Sequence, residues 1–223
     1  MRQLLLDITQ APAPSFENFV PGRNAEALAA VRAAATDGLA ERVIYLWGEP
    51  GAGRSHLARA LAAARPGARL VTGAEYDGDA AGTLVIDDVE GLAESRQVTL
   101  FNAFNERAHA LLVVTAGAAP KDVPLRRDLA TRLATGLTYR LLALTDDEKR
   151  EALHAHARAR GFALSDEVAS YLLTHARRDM PSLIRALDAL DRHSVETGRP
   201  ITVPLLKAAL QPELTGTPAQ ALR

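Results

Sequence analysis

Eight consecutive residues, Gly48-Glu49-Pro50-Gly51-Ala52-Gly53-Arg54-Ser55, carry the spacing of a phosphate-binding loop, with arginine where lysine is usual. Glycines let successive backbone N–H groups turn inward on phosphate oxygens. The N-terminus of a following helix adds positive potential. Ser55 would supply a hydroxyl to Mg2+, and Arg54 would bring charge to the β-phosphate as a planar fork rather than a compact ammonium. That difference predicts nucleotide binding with hydrolysis weak or absent in the isolated chain. About thirty residues further on, Leu84-Val85-Ile86-Asp87-Asp88 is an apolar run ending in two carboxylates. A strand buried on both faces brings its last residues to the carboxyl edge of a sheet, beside such a loop. There Asp87 would hold Mg2+ through water and Asp88 would orient an attacking water. The bland alternatives are a Gly/Pro turn that binds nothing and a solvated strand end.

These groups need a scaffold, and the hydrophobic pattern predicts one. Short apolar runs at 43–47, 68–72, 83–86, 111–115 and 137–141 read as strands. Before and between them, 24–36, 55–64, 95–108 and 125–134 read as helices, with Asn24 as a possible N-cap of the first and Val98, Phe101 and Phe104 on or near one face of the third. The alternation implies an α/β fold: a mostly parallel five-stranded sheet with helices on both faces. After Leu142 no strand signal remains. Thr145-Asp146-Asp147-Glu148 is a capping box, Ser165 caps a second helix, and two more begin near Pro181 and Pro204. The expected division is a flexible tail (1–15), a nucleotide-binding base (16–142), a four-helix lid (143–212) and a C-terminal tail (213–223).

Composition narrows the class. The chain has 223 residues, 48% of them hydrophobic, a net charge of −1 and no cysteine, which excludes disulfide frameworks and thiolate sites. No apolar run reaches membrane-spanning length and the N-terminus lacks the form of a signal peptide, so the expectation is a cytoplasmic protein with no membrane partner. Without a dense basic block, direct sequence-specific DNA binding is not expected. Lys121, Lys149 and Lys207 are the only lysines among 26 basic residues, so arginine is common background and any single arginine must be weighed against a surface role. The six histidines show no metal spacing. His154 and His156, two apart on a helix, point to different faces. Trp47 reads as strand packing.

On these residues the chain resembles the AAA+ core of the bacterial replication initiator DnaA, and more closely the Hda family, the regulatory inactivators of DnaA. The resemblance spans 16–210. Phe16-Glu17-Asn18-Phe19-Val20, with Gly22 and Asn24, is similar to the family segment that packs on adenine; the loop from Gly48 to His56 is close to the Hda type, in which arginine replaces lysine. The resemblance implies ADP or ATP with Mg2+ as cofactors, Thr115 as the polar sensor at the end of the fourth strand, Arg132 as an arginine finger, and Arg178 as a lid arginine facing the nucleotide. It implies that Gln3-Leu4-Leu5-Leu6-Asp7-Ile8 docks on the sliding clamp, the β subunit of DNA polymerase III, with apolar anchors in pockets and the glutamine amide setting register. A tail strand or a staple on the base is the plainer reading of that hexapeptide, and a surface salt bridge or helix start is the plainer reading of Arg132 and Arg178.

Two departures count against an initiator. Only residues 73–82 separate the second and third strands, where DnaA has a long helical insertion and Hda relatives usually have a helix, and no DNA-reading helical domain follows the lid. Three functions follow. The first is a clamp-bound, ADP-holding regulator that stimulates ATP hydrolysis on DnaA, with homodimerisation left open. The second is a free-standing ATPase using Asp88 and Thr115 in its own site. The third is a loading or adaptor module that binds a helicase or another AAA+ protein.

Overall fold

The computed structural model describes residues 13–78, 81–198 and 201–210. Gln3, Leu4, Leu6, Asp7 and Ile8 lie outside them. The chain divides into two compact units, one spanning Ala13–Leu144 and the other beginning at Thr145.

The first unit is a five-stranded sheet in which every pairing is parallel: β1 (Val43–Gly48), β2 (Arg69–Thr72), β3 (Gly82–Asp87), β4 (His109–Ala116) and β5 (Leu137–Leu141), in spatial order β2-β3-β4-β1-β5. Parallel strands need crossovers, and α2 (Arg54–Ala64), α3 (Glu94–Asn105) and α4 (Arg127–Leu133) supply three of them, while α1 (Ala25–Ala35) precedes β1. Successive strand residues face opposite sides. Ile44, Leu46, Val85 and Val113 bury against Leu28 and Val31 of α1 and Leu57 and Leu61 of α2. Tyr45, Leu84, Ile86, Leu112 and Val114 bury against Leu100 of α3 and Leu129 and Leu133 of α4. Burial on both faces is why these strands appear in the sequence as unbroken apolar runs.

Three readings need correction. Asn24 precedes α1 but makes no side-chain cap. Its amide donates to the carbonyl of Leu142 (2.9 Å) and its carbonyl accepts from the Leu142 amide (2.8 Å), so it serves as a strand partner to the chain beyond β5. On α3, Val98 is 38% exposed, whereas Gln97 and Leu100 are buried and Phe101 and Phe104 are partly so. Hydrophobicity alone misplaced the face, because Gln97 uses both ends of its amide inside, donating to the Leu92 carbonyl and accepting from the Arg126 amide. Residues 13–15 are not tail-like: Ser15 and Asn18 exchange hydrogen bonds, and Asn18 also donates to the Ala13 carbonyl.

The second unit contains α5 (Asp146–Arg160), α6 (Asp166–His175), α7 (Met180–Thr197) and α8 (Val203–Leu210). The Thr145/Glu148 capping box and the Ser165 cap form as the sequence predicts, and Asp179 caps α7 through the Ser182 amide. Its core is aliphatic: Leu153, Leu172, Leu183, Leu187, Leu190 and Leu206 are each at most 1% exposed. His154 and His156 have separate partners, Asp166 and Asp188. Among the described residues no three or more acidic, histidine or cysteine side chains cluster as metal ligands, and no helix is long and apolar enough to cross a membrane.

Replacing Asn24 with alanine should strand two backbone groups of Leu142 in a nearly buried place, since Asn24 is 4% exposed. The expected loss is about 2–4 kcal/mol in urea unfolding; a loss under about 0.5 kcal/mol would show that water replaces both bonds.

Candidate functional site

The site forms where β1, β3 and β4 end on the same edge of the sheet. The loop after β1 leads straight into α2, whose first turn leaves its amides without intrahelical acceptors. Gly53 closes the loop with φ 95°, a left-handed conformation. A Cβ there would lie 2.6 Å from Cε2 of Phe19, so glycine is required both for the turn and for the ring beside it. Phe19 in turn lies 5.4 Å, centroid to centroid, from His56, whose Nε2 is 2.9 Å from the Ser15 carbonyl oxygen. Burial holds the His56 ring below the usual histidine range, so it is neutral at pH 7. The segment through Ser15, Phe19 and Val20 is thus secured to the loop it was expected to accompany.

Side chains from two elements distant in sequence, α2 and β4, converge on one carboxylate. Asp87, 5% exposed, accepts from Thr115 Oγ1 at 2.6 Å and from Ser55 Oγ at 3.0 Å, both on Oδ1. Thr115 is fully buried, and its hydroxyl also accepts the Asp88 amide at 2.8 Å. Arg59 Nη2 lies 3.9 Å from the other oxygen of Asp87. A hydroxyl and a carboxylate this close are the hard-oxygen pair that Mg2+ binds while keeping most of its waters. The donor set fits that cation.

Asp88 follows in a left-handed conformation (φ 52°, ψ 65°), which an aspartate tolerates better than most residues. The turn takes the chain off the strand and into a short 3-10 helix, Val89–Gly91. Burial first, then the neighbouring Asp87, push the Asp88 carboxyl above its ordinary range. Arg54 lies between these acids, its Nη1 at 3.5 Å from Asp88 and 4.0 Å from Glu90. Glu90 accepts the Gly117 amide at 2.7 Å. Sequence reading missed Glu90, whose only local signal is an acidic residue two positions beyond the carboxylate pair. Trp47 packs on the sheet face of Tyr45 and Leu129 and has the Arg140 guanidinium 5.2 Å from its ring centroid.

The remaining arginines differ in their surroundings. Arg132 lies on the solvent side of α4, opposite buried Leu129 and Leu133. It makes no ion pair among the described residues and borders an open depression of about 770 Å3 with Phe101, Arg126, Arg127, Asp128 and Thr131. Arg126, by contrast, is paired with Asp128. Arg178 belongs to the second unit, where it binds both oxygens of Asp146 and holds that carboxyl below its usual range.

A parallel sheet with a glycine loop after its first strand, and the Ser55–Asp87–Thr115 contacts at the strand ends, define a P-loop protein of the AAA+ class. Comparison with known proteins narrows this. The family model for the Hda lid domain matches residues 146–210. An uncharacterized protein of Haemophilus influenzae is 32% identical over 228 residues, covering 94% of this chain and 98% of its own. Domain III of the replication initiator DnaA from Thermotoga maritima superposes with a TM-score of 0.65 at 19% identity, over 92% of this chain and 98% of that one. The AMPPCP-bound DnaA of Aquifex aeolicus gives 0.63 at 18%, over 84% and 70%. The chain belongs to the Hda-like, DnaA-related family of AAA+ proteins.

Because its folded-state carboxyl titrates above the unfolded value, Asp88 favours folding at acid pH and loses that contribution as pH rises through its folded pKa. Asp88→Asn should therefore raise the Tm of the nucleotide-free protein at pH 7. With Asp88 57% exposed the gain is about 1–2 °C. At about pH 3, where the acid is protonated folded or unfolded, the two proteins should melt together. A larger gain at acid pH than at neutral would contradict the assignment.

Proposed function

We propose that this protein is a clamp-tethered regulator of DnaA that holds ADP on its own phosphate loop and presents Arg132 to ATP held by DnaA. The observation that carries the reading is Arg132 itself: a guanidinium on the exposed face of a base-domain helix, with no carboxylate partner among the described residues. Such a group is free to meet the phosphates of a neighbouring molecule. Arginine fingers supplied in trans stabilise transition-state charge by about 10³–10⁵ in rate. DnaA would supply the water-activating groups, and the product would be an inactive, ADP-bound initiator.

Within the chain, the amides of Gly51, Ala52 and Gly53 and the side chain of Arg54 would hold the phosphates, with Gly48, Glu49 and Pro50 shaping the loop. Ser55 and Asp87 would hold Mg2+. Phe19, Val20 and His56 would flank the adenine side. Arg178 would leave Asp146 to meet the nucleotide. The tail residues Gln3, Leu4, Leu6, Asp7 and Ile8 would dock on the clamp and bring Arg132 to DnaA on DNA. A homodimer is compatible with this scheme and not required by it.

The test uses DnaA loaded with radiolabelled ATP, clamp on DNA, and the full chain. Arg132→Ala should reduce stimulated hydrolysis to the unassisted rate of DnaA. Hydrolysis undiminished by that change would sink the mechanism. Deleting residues 1–10 should remove clamp-dependent stimulation, and stimulation that survives the deletion would strip the tail of its role.

Arg178 offers a separate check. Its pair with Asp146 is exposed, so Arg178→Ala should cost under about 1 kcal/mol of stability. If the lid arginine reaches nucleotide, ADP affinity should fall about tenfold, the scale of one charge-assisted hydrogen bond. Unchanged affinity would return Arg178 to a structural role. An intrinsic turnover abolished by Asp87→Ala would instead favour a free-standing ATPase, and retention of a helicase without any clamp response would favour a loader.

A further inference from the structure

Arg54 is poorly satisfied where it lies. Its side chain is only 13% exposed, and Nη1 is buried with no hydrogen-bond partner. Asp88 at 3.5 Å and Glu90 at 4.0 Å are too distant for good hydrogen bonds, yet near enough for strong attraction away from bulk water. Glu90 mirrors this: Oε1 is taken by the Gly117 amide, while Oε2 is buried without a partner. A donor of Arg54 and an acceptor of Glu90 are thus each buried without a hydrogen bond, in two side chains that approach to 4.0 Å.

Glu90 cannot easily move to close the gap. The turn that bears it is braced by the Gly91 amide on the Asp88 carbonyl (2.9 Å) and the Leu92 amide on the Val89 carbonyl (3.1 Å). The loop after β4 is braced from the other side, where the Tyr45 hydroxyl donates to the Ala118 carbonyl at 2.9 Å. A Cβ on residue 117 would come within 3.1 Å of Glu90 Oε1 and 3.8 Å of Arg54 Nη1, so glycine leaves room for both groups. Arg54 is the movable member, and a fork with five N–H donors can serve two acceptors at once where an ammonium would have to choose direction.

We propose that Glu90 is a positioning residue that draws Arg54 toward the Asp88 side, so that the phosphate loop takes a nucleoside diphosphate in preference to a triphosphate. The proposal rests on the nucleotide-binding reading above and deepens it. A terminal phosphate brings further negative charge toward three carboxylates, Asp87, Asp88 and Glu90, while the one guanidinium of the loop is shared with two of them. A diphosphate asks less of Arg54 and leaves the Glu90 contact standing.

Calorimetric titration of the full chain with ADP and with the non-hydrolysable triphosphate AMPPCP, both with Mg2+, tests this. Wild-type protein should favour ADP. Glu90→Gln, which keeps an acceptor for the Gly117 amide but removes the charge, should tighten AMPPCP about tenfold and ADP less than about threefold. Gly117→Ala, which crowds the same carboxylate, should act in the same direction if the first variant fails to fold. In an Arg54→Ala background the Glu90→Gln effect should fall below about twofold, as expected for coupled residues. Equal tightening for both nucleotides, no tightening, or a full effect without Arg54 would overturn the proposal. Wild-type protein that binds both nucleotides equally would overturn it alone. Binding neither would overturn the phosphate-loop reading as well.

Discussion

The buried carboxylate of Asp87 is the constraint around which the first unit is organised. A carboxylate at 5% exposure needs donors, and it finds the hydroxyls of Ser55 and Thr115. Those two contacts bind the start of α2, the end of β3 and the end of β4 into one arrangement. The Thr115 hydroxyl also receives the Asp88 amide and so helps set the left-handed turn that carries Glu90 away from the strand. Loss of any member of this set leaves a polar group without its partner in a place where water cannot easily replace it.

Arginine in the phosphate loop changes the electrostatics of that arrangement. A lysine would be a compact charge directed at phosphate. Arg54 instead lies among Asp88 and Glu90, in a site where three acids are crowded and the Asp88 carboxyl is already pushed toward its neutral form. Arg132 is the opposite case: exposed and unpaired among the described residues, with Asp128 of the same depression engaged by Arg126 instead. One arginine faces inward among acids and the other faces solvent.

Much of the architecture was legible because it depends on local pattern. Strands buried on both faces must be nearly continuous apolar runs, and β1, β3 and β4 appeared as such. The Thr145/Glu148 box and the Ser165 cap are contacts over three residues, so spacing alone reveals them. The phosphate loop and the acidic pair were readable for the same reason. What escaped were polar residues whose partners are far along the chain. Asn24 meets Leu142 across 118 positions, and Gln97 meets Arg126 across 29. In sequence, an asparagine before a helix is a cap and a glutamine on a helix is a solvated face.

The sequence by itself therefore determined the class of fold, the order of elements, the lid and the identity of the loop, since periodicity, capping and glycine spacing act over a few residues. Only the tertiary structure decided that Thr115 and Ser55 share one carboxylate, that Glu90 faces Arg54 across the turn, and that Arg178 rests on Asp146. Those outcomes depend on strand order and on which loops meet at one edge of the sheet. A carboxylate's partner is chosen by that geometry, and side-chain type alone carries no information about it.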